Sequence, residues 1–225
     1  MTELANAGSM RRRSVADWVT DALRSAIVTG RFAPGERLSL REVSRQLGVS
    51  FIPLREALCS LEAEGLVVAQ RGRSAVVAPM TPGDLASILW LRRQIEPVLV
   101  SSAAELHTPA GLARVEHQLA ACADPGVTVE RHREVHHRVH LDLLWPAMTR
   151  WDMGVVEMLL YATSRYLCLG PGRAGAWGET IPRERDEHVA VHRELLEVLR
   201  VRDADQARML MRRHLDQVER DAVDH

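Results

Sequence analysis

The chain is 225 residues long, 46% hydrophobic and 26% charged, with 29 arginines, no lysine and 30 acidic residues for a formal net charge of −1. That length holds one large or two small domains, each with its own core. No apolar run approaches the roughly 18 residues that span a bilayer, and no apolar signal core follows Arg11, Arg12 and Arg13, so the composition excludes a membrane span and predicts a soluble, cytoplasmic protein.

Cys59, Cys122 and Cys168 are scattered, odd in number and without CxxC spacing, and read as buried or free thiols of a reducing compartment. In chain order, residues 1–12 read as a disordered arm. A helix is predicted from near Leu40, because Ser39 followed three residues later by Glu42 is a capping box that satisfies orphan backbone N–H groups. Val43 and Leu47 share one face, Gly48 ends the helix, and Ser50 is placed to cap a second helix carrying Leu54, Ala57, Leu58 and Leu61 inward. Two helices around so short a turn make helix-turn-helix geometry, in which the second enters the major groove by its N-terminal end. The side chains able to reach bases are then Ser50, Phe51, Ile52 and Arg55. Arg55 could grip a guanine bidentately, while Arg41 and Arg45 could meet phosphates or outer bases, or be plain solvated helix arginines. Beyond Gly65, the runs Leu66, Val67, Val68 and Ala75, Val76, Val77 flank Arg71, Gly72 and Arg73, a hairpin wing with a basic tip.

Residues 13–80 resemble the winged helix-turn-helix of the GntR family of bacterial transcription regulators. The family's opening helix and turn match residues 19–30, its PG step Pro34 and Gly35, its LGVS turn residues 47–50, its P-hydrophobic-REAL run residues 53–58, and its L-x-x-EGLV run residues 61–67. The resemblance implies a regulator that binds DNA. One position departs: where the family has Arg directly after the turn serine, this chain has Phe51, followed by Ile52 where Thr is common. A phosphate or base contact is lost there. Phe51 could instead meet a thymine methyl or an unstacked sugar edge, or be buried against a partner.

Charge divides at residue 80. Up to there the chain has 11 Arg and 8 acidic residues (+3), and beyond it 18 and 22 (−4), which sum to −1. A mildly basic reader is thus joined to an acidic partner domain. From Thr81 onward the periodicity is helical: Thr81-Pro82 and Thr108-Pro109 are cap-then-proline helix starts. Further amphipathic runs cover 128–145, 152–168, 182–200 and 204–222, interrupted by Pro146 and by the glycine-rich segment 170–178, a lid or linker. The fold class is mainly α: an N-terminal winged helix-turn-helix and, over 81–225, an all-helical bundle of about six helices that can close around a pocket.

Histidines carry this half's chemistry. His132, His136 and His140, four apart, form a ladder on one helix face that can chelate a metal, with His137 pointing elsewhere. The helices bearing His192 and His214 are joined by a short connection around Arg202 and Asp203 and should run antiparallel. His192 lies 11 residues before Asp203 and His214 lies 11 after, so both stand at similar height in the hairpin. His136, His140, His192 and His214 then offer four imidazoles to one point. Neutral imidazoles at about 2.0–2.1 Å suit Zn²⁺, with Ni²⁺ as a second candidate. Any one of them alone would by default be an ordinary core or surface histidine. His132 and His188, each one turn before a proposed ligand, are spare or supporting groups.

This half also resembles the helical effector domain, of FCD type, that stands behind GntR readers in the FadR-like branch. The family's Asp-x-x-Phe-His motif matches His136 and His140, with Val139 in place of Phe. Its second motif matches His192, Leu195, Leu196 and Asp203, and its last matches His214 and Leu215. The family uses one Asp and three His, so His136 removes a negative charge and tilts the site away from Mg²⁺ and Mn²⁺. The resemblance further implies a small carboxylate effector beside the metal, helped by an arginine of the first bundle helix. Arg92 is the candidate, and an intrahelical salt bridge to Glu96 is the competing account. Four histidines leave less room for a carboxylate, so a purely structural metal also stays open.

These readings predict a homodimer on a pseudo-palindromic double-stranded DNA operator, with a small-molecule effector changing the spacing of the two readers. The alternative is a metal-dependent enzyme with an accessory winged helix. No nucleophile elbow, phosphate-cradling glycine loop or HExxH appears, which favours a regulator that is not an enzyme.

Overall fold

The computed structural model of the chain describes residues 14–70, 74–124, 126–169 and 181–223. The arm at 1–12, the wing tip Arg71, Gly72 and Arg73, and the glycine-rich segment 170–178 lie outside the described residues. Ser14 opens α1 (Val15–Val28) with a complete capping box, its hydroxyl accepting from the Asp17 N–H while Asp17 accepts from its own, both at 3.0 Å. Then follow β1 (Arg37–Ser39), α2 (Leu40–Leu47), α3 (Phe51–Ala63), β2 (Val67–Gln70) and β3 (Ser74–Val77).

Two local expectations change. The Ser39 box is half formed: its hydroxyl accepts from Glu42 N–H at 3.4 Å, but the Glu42 carboxylate is taken by Arg45 and Gln46. Ser50 does occupy the N-cap position of α3 in extended backbone, yet its side chain makes no cap bond. Gly48 carries the α2–α3 turn at φ 64°, a left-handed conformation that costs glycine nothing sterically. The strand β1 was not foreseen, because three residues are too short to show alternation. Pairing creates it: Leu38 stands opposite Ala75, and the antiparallel sheet runs in the order β1-β3-β2. Val19, Leu23 and Ile27 of α1 meet Leu54, Ala57 and Leu61 of α3 and Leu38 and Val77 of the sheet in one core. Each of the valines, leucines and isoleucine among them contributes about 1.5–3 kcal/mol when fully buried.

The second half comprises α4 (Pro82–Leu106), α5 (Pro109–Cys122), α6 (Val129–Leu144), a 3-10 turn at Trp145–Ala147, α7 (Arg150–Leu169), α8 (Ile181–Arg200) and α9 (Ala204–Val223). Thr81, Thr108 and Thr128 cap α4, α5 and α6 through hydroxyls that accept from the N–H three residues on. Arg202, at φ 57°, makes the tight turn that folds α9 back along α8. A separate core of Val100, Val115, Val139, Leu143, Leu195, Leu199 and Leu210 joins these helices. Among the described residues this half has no strand, and no helix is long and apolar enough to cross a membrane.

The reader is seated on α7. Arg165 donates to the Ala78 carbonyl at 2.7 Å, and the Tyr166 hydroxyl accepts from Thr81 N–H at 3.2 Å. Gly30, at φ 77°, lies so close to the end of α7 that an added Cβ would meet Leu169 Cδ2 at 2.5 Å.

Candidate metal centre and DNA-reading face

Three helices bring four imidazoles together. His136 and His140 stand one turn apart on α6, His192 projects from α8, and His214 from α9. His140 Nε2 lies 3.0 Å from His192 Nε2 and 3.3 Å from His214 Nε2. The His136 ring lies 4.8 Å from that of His140 and 4.9 Å from that of His192, and candidate ligand atoms of these three fall within 4.8 Å of one another. His192 and His214 face each other across the α8–α9 hairpin with ring centroids 4.7 Å apart. His140, His192 and His214 are almost wholly buried, His192 at 0% exposure.

Chemistry limits what such a cluster can be. One imidazole nitrogen offers a single in-plane proton or lone pair, so His140 Nε2 cannot make two linear hydrogen bonds at once. Four nitrogens about 2.0–2.1 Å from a tetrahedral ion would stand about 3.3 Å apart. The two separations at His140 are close to that edge, whereas the candidate atoms of His136, His140 and His192 spread to 4.8 Å, so the cluster fits a metal ion that draws its imidazoles closer together.

Around the imidazoles lies a supporting shell that the sequence indicated only in part. Glu96 Oε2 of α4 is 3.6 Å from His140 Nδ1. Its carboxylate is held by Arg92 through bonds of 2.5 and 3.1 Å, and Arg92 also donates to Thr163 Oγ1 of α7 at 3.2 Å. Arg92 and Glu96 are both buried, and the salt bridge weighed against an effector contact is present. His132 does not join the cluster directly: its Nδ1 lies 3.2 Å from the Cys122 carbonyl, and its ring stacks 6.0 Å from that of His136. The His188 side chain lies outside the described ones.

His137 turns away from the metal face and stacks on Tyr161 at 4.1 Å. Burial, together with Arg92, Arg24, Arg133 and Arg138, pushes its pKa down to about 3, so the ring is neutral. The guanidinium of Arg24, on α1, covers the same Tyr161 at 4.7 Å and grips Glu64, the C-cap residue of α3, at 2.6 and 2.7 Å. Sequence reasoning missed this seam. The sequence implies only that His137 points away from the ladder, Tyr161 belongs to no motif, and Arg24 lies in the opening helix without a role of its own.

On the reader, the N-terminal end of α3 faces outward. Ile52 is 71% and Phe51 47% exposed, and Ser50, Arg55, Arg41 and Arg45 are exposed as well. Within this chain Phe51 is therefore not a core residue. Arg45 is paired with Glu42 at 2.5 Å, which raises its pKa and offsets its charge, whereas among the described residues no ion pair holds Arg41 or Arg55.

The comparisons with known proteins agree with this anatomy. Residues 16–77 match the bacterial regulatory proteins of the gntR family, and residues 87–217, more than half of the chain, match the FCD domain. The chain is a GntR-family regulator with an FCD domain. This GntR-FCD protein is 25% identical over 211 residues to the HTH-type transcriptional regulator McbR of Escherichia coli K12, covering 89% of each. It is 27% identical over 202 residues to the HTH-type transcriptional repressor GlaR of the same organism, covering 86% of this chain and 89% of the relative. The solved structure of E. coli McbR/YncC superposes with a TM-score of 0.76 at 24% identity over 91% of this chain and 94% of that one. A regulator from Rhodococcus sp. RHA1 gives 0.71 at 22% identity over 93% and 97%. At those identities the superpositions speak for the fold alone. Membership of that family makes the chain a DNA-binding transcriptional regulator, and these relatives are themselves transcriptional regulators, so the enzyme alternative finds no support among them. FCD domains often bind metal, in keeping with the histidine cluster.

Proposed function

We propose that this GntR-FCD protein acts as a homodimer on a pseudo-palindromic operator, reading bases with the exposed end of α3 and holding a Zn²⁺-type ion on His136, His140, His192 and His214. The observation that carries the metal reading is the pair of Nε2 separations at His140, 3.0 and 3.3 Å. Ni²⁺ is the second candidate, since imidazole suits both ions. When bound, the ion cross-links α6, α8 and α9. The pair Arg92–Glu96 orients His140 from behind, as outer carboxylates do for ligating histidines. Operator affinity responds to a small carboxylate effector in the FCD domain. With its guanidinium committed to Glu96 and Thr163, Arg92 acts on that effector through Glu96 and the adjacent His140, not as a free arm.

On the DNA side, Arg55 is the bidentate base reader, with Ser50, Phe51 and Ile52 beside it. Arg41, Arg45 and the wing tip of Arg71, Gly72 and Arg73 meet the backbone. Exposure of Phe51 supports contact with a thymine methyl or a sugar edge. Dimerisation is supported by large apolar side chains left exposed on two helices that pack together: Trp90, Leu91 and Val98 of α4 and Trp151 and Val155 of α7, Trp151 at 73%. A second copy that covers these side chains would set two readers on one duplex face.

The test combines elemental analysis of tag-free protein with a gel shift on the DNA upstream of its own reading frame. Stoichiometric zinc or nickel and salt-sensitive, two-fold-symmetric binding are expected. Metal-free protein would remove the metal reading, and salt-insensitive or undetectable DNA binding would remove the operator reading.

A further inference from the structure

We propose that the cleft between the reader and the FCD domain is a ligand site of its own, separate from the histidine cluster, for a small zwitterion with spaced ammonium and carboxylate groups. The cavity measures about 720 Å³, within the range of small-molecule sites, and lies at a domain boundary, where such sites concentrate. One wall is a single face of α1, with Asp21, Arg24, Ser25 and Val28 at helical spacing. Opposite stand Arg133, His137 and Leu141 of α6, and Glu157 and Tyr161 of α7 close the floor. None of His136, His140, His192 and His214 lines it.

The walls are charged unevenly. Around Arg24 gather three carboxylates: Asp21 at 2.6 Å, Glu64 at 2.6 Å, and Glu157. Glu157 makes no hydrogen bond or ion pair among the described residues. Burial and the neighbouring Glu64 and Asp21 raise its pKa against the pull of Arg24, the signature of a carboxyl group short of a counter-charge. The α6 wall has the opposite imbalance. Arg131 and Arg138 share one carboxylate, Glu134, at 2.9 and 2.8 Å. Arg133 adds a third guanidinium, whose Nη2 reaches only Ser25 Oγ at 3.5 Å and whose buried Nη1 has no partner. His137, 8% exposed, likewise has a buried Nε2 with no hydrogen-bond partner.

A ligand with one charge would be drawn to one wall and repelled by the other. A zwitterion satisfies both, its ammonium toward Glu157 and its carboxylate toward Arg133 and His137. Such a ligand touches the reader and the FCD domain together. Through Arg24 and Glu64 it also bears on the C-terminal end of α3, so its presence fixes the reader against the bundle.

The experiment is calorimetric titration of the full-length, metal-saturated protein with ω-amino acids from glycine to 6-aminohexanoate, beside hexanoate and hexylamine as single-charge controls. Saturable one-to-one binding that peaks at one chain length is expected. The controls and the variants Glu157→Gln and Arg133→Gln should bind about tenfold more weakly or worse, the effect of losing one charge-assisted bond. Melting curves without ligand establish that each variant folds, and Glu157→Asp and Arg133→Lys, retaining charge at altered reach, replace any that do not. The proposal is overturned if no amino acid binds, if hexanoate or hexylamine binds as tightly as the zwitterion of its length, or if folded Glu157→Gln and Arg133→Gln both bind like the parent. Failure here leaves the gel shift and the metal content untouched, so it is distinct from failure of the regulator reading.

Discussion

Removal of the metal should uncouple three helices at once, and its size can be worked from the cluster. His140, His192 and His214 are buried at 0–1% exposure, and their imidazole contacts join α6, α8 and α9 beside the apolar core around Val139, Leu195 and Leu215. An ion present at about 1,000 times its dissociation constant adds about 4 kcal/mol to folding stability. For a chain of this size each kcal/mol moves the melting temperature by about 2–4 °C, so stripping the ion should lower it by roughly 8–16 °C. The assay is calorimetry of tag-free protein before and after chelator, with zinc added back to restore the transition. His192→Ala should melt near the chelated parent and gain nothing from zinc. His136→Asp, which restores the family's carboxylate, should keep both the metal and the response. If the parent holds no stoichiometric metal and its melting ignores both chelator and zinc, the coordination argument is wrong and the 3.0 Å contact is a hydrogen bond.

Four further outcomes follow from the geometry. Arg55→Ala should cost about 1–3 kcal/mol of operator binding and relax the base preference at one position, measured by gel shift on mutated operators. Phe51→Arg should tighten binding and steepen the dependence of log affinity on log salt by about one unit, because one more phosphate is neutralised; an unchanged slope would show that no phosphate contact is missing. Arg24→Met should cost about 1–3 kcal/mol by leaving Glu64 without its bidentate partner, and the double variant with Glu64→Gln should cost less than the two singles added, which denaturant melts can read. Trp90→Arg should shift sedimentation towards the monomer, whereas an unaltered dimer would place the two-fold face elsewhere.

How far the sequence could be read depended on how local each signal was. The two cap-then-proline starts and the four amphipathic runs after Thr81 became six helices, the four runs within a few residues of their expected ends, because caps and periodicity are written locally. β1 was invisible, since Leu38 is a strand residue only by virtue of Ala75 opposite it. The histidine cluster was legible for a geometric reason: equal distances from Asp203 place His192 and His214 level across a hairpin, whatever surrounds them. Glu96 was seen as the partner of Arg92 but not as a neighbour of His140, because that proximity depends on how α4 lies against α6. The Ser50 cap failed in the other direction. Its position was right, but the hydroxyl makes no bond, and position alone does not decide a side-chain rotamer.

The helix α6 explains why one element can serve two sites. Positions 132, 136 and 140 form one stripe and positions 133, 137 and 141 the next, displaced by a single residue and so by about 100° around the axis. The first stripe bears the imidazoles, and the second lines the cleft against α1. A small rotation of α6 that improves the grip of His136 and His140 must therefore also move Arg133 and His137 against Tyr161, on which Arg24 rests. Coupling between metal and reader then requires no long pathway, only a rigid helix with a different partner on each face. Measured reciprocity would establish it: an ω-amino acid that binds more tightly to metal-loaded protein must raise metal affinity by the same factor.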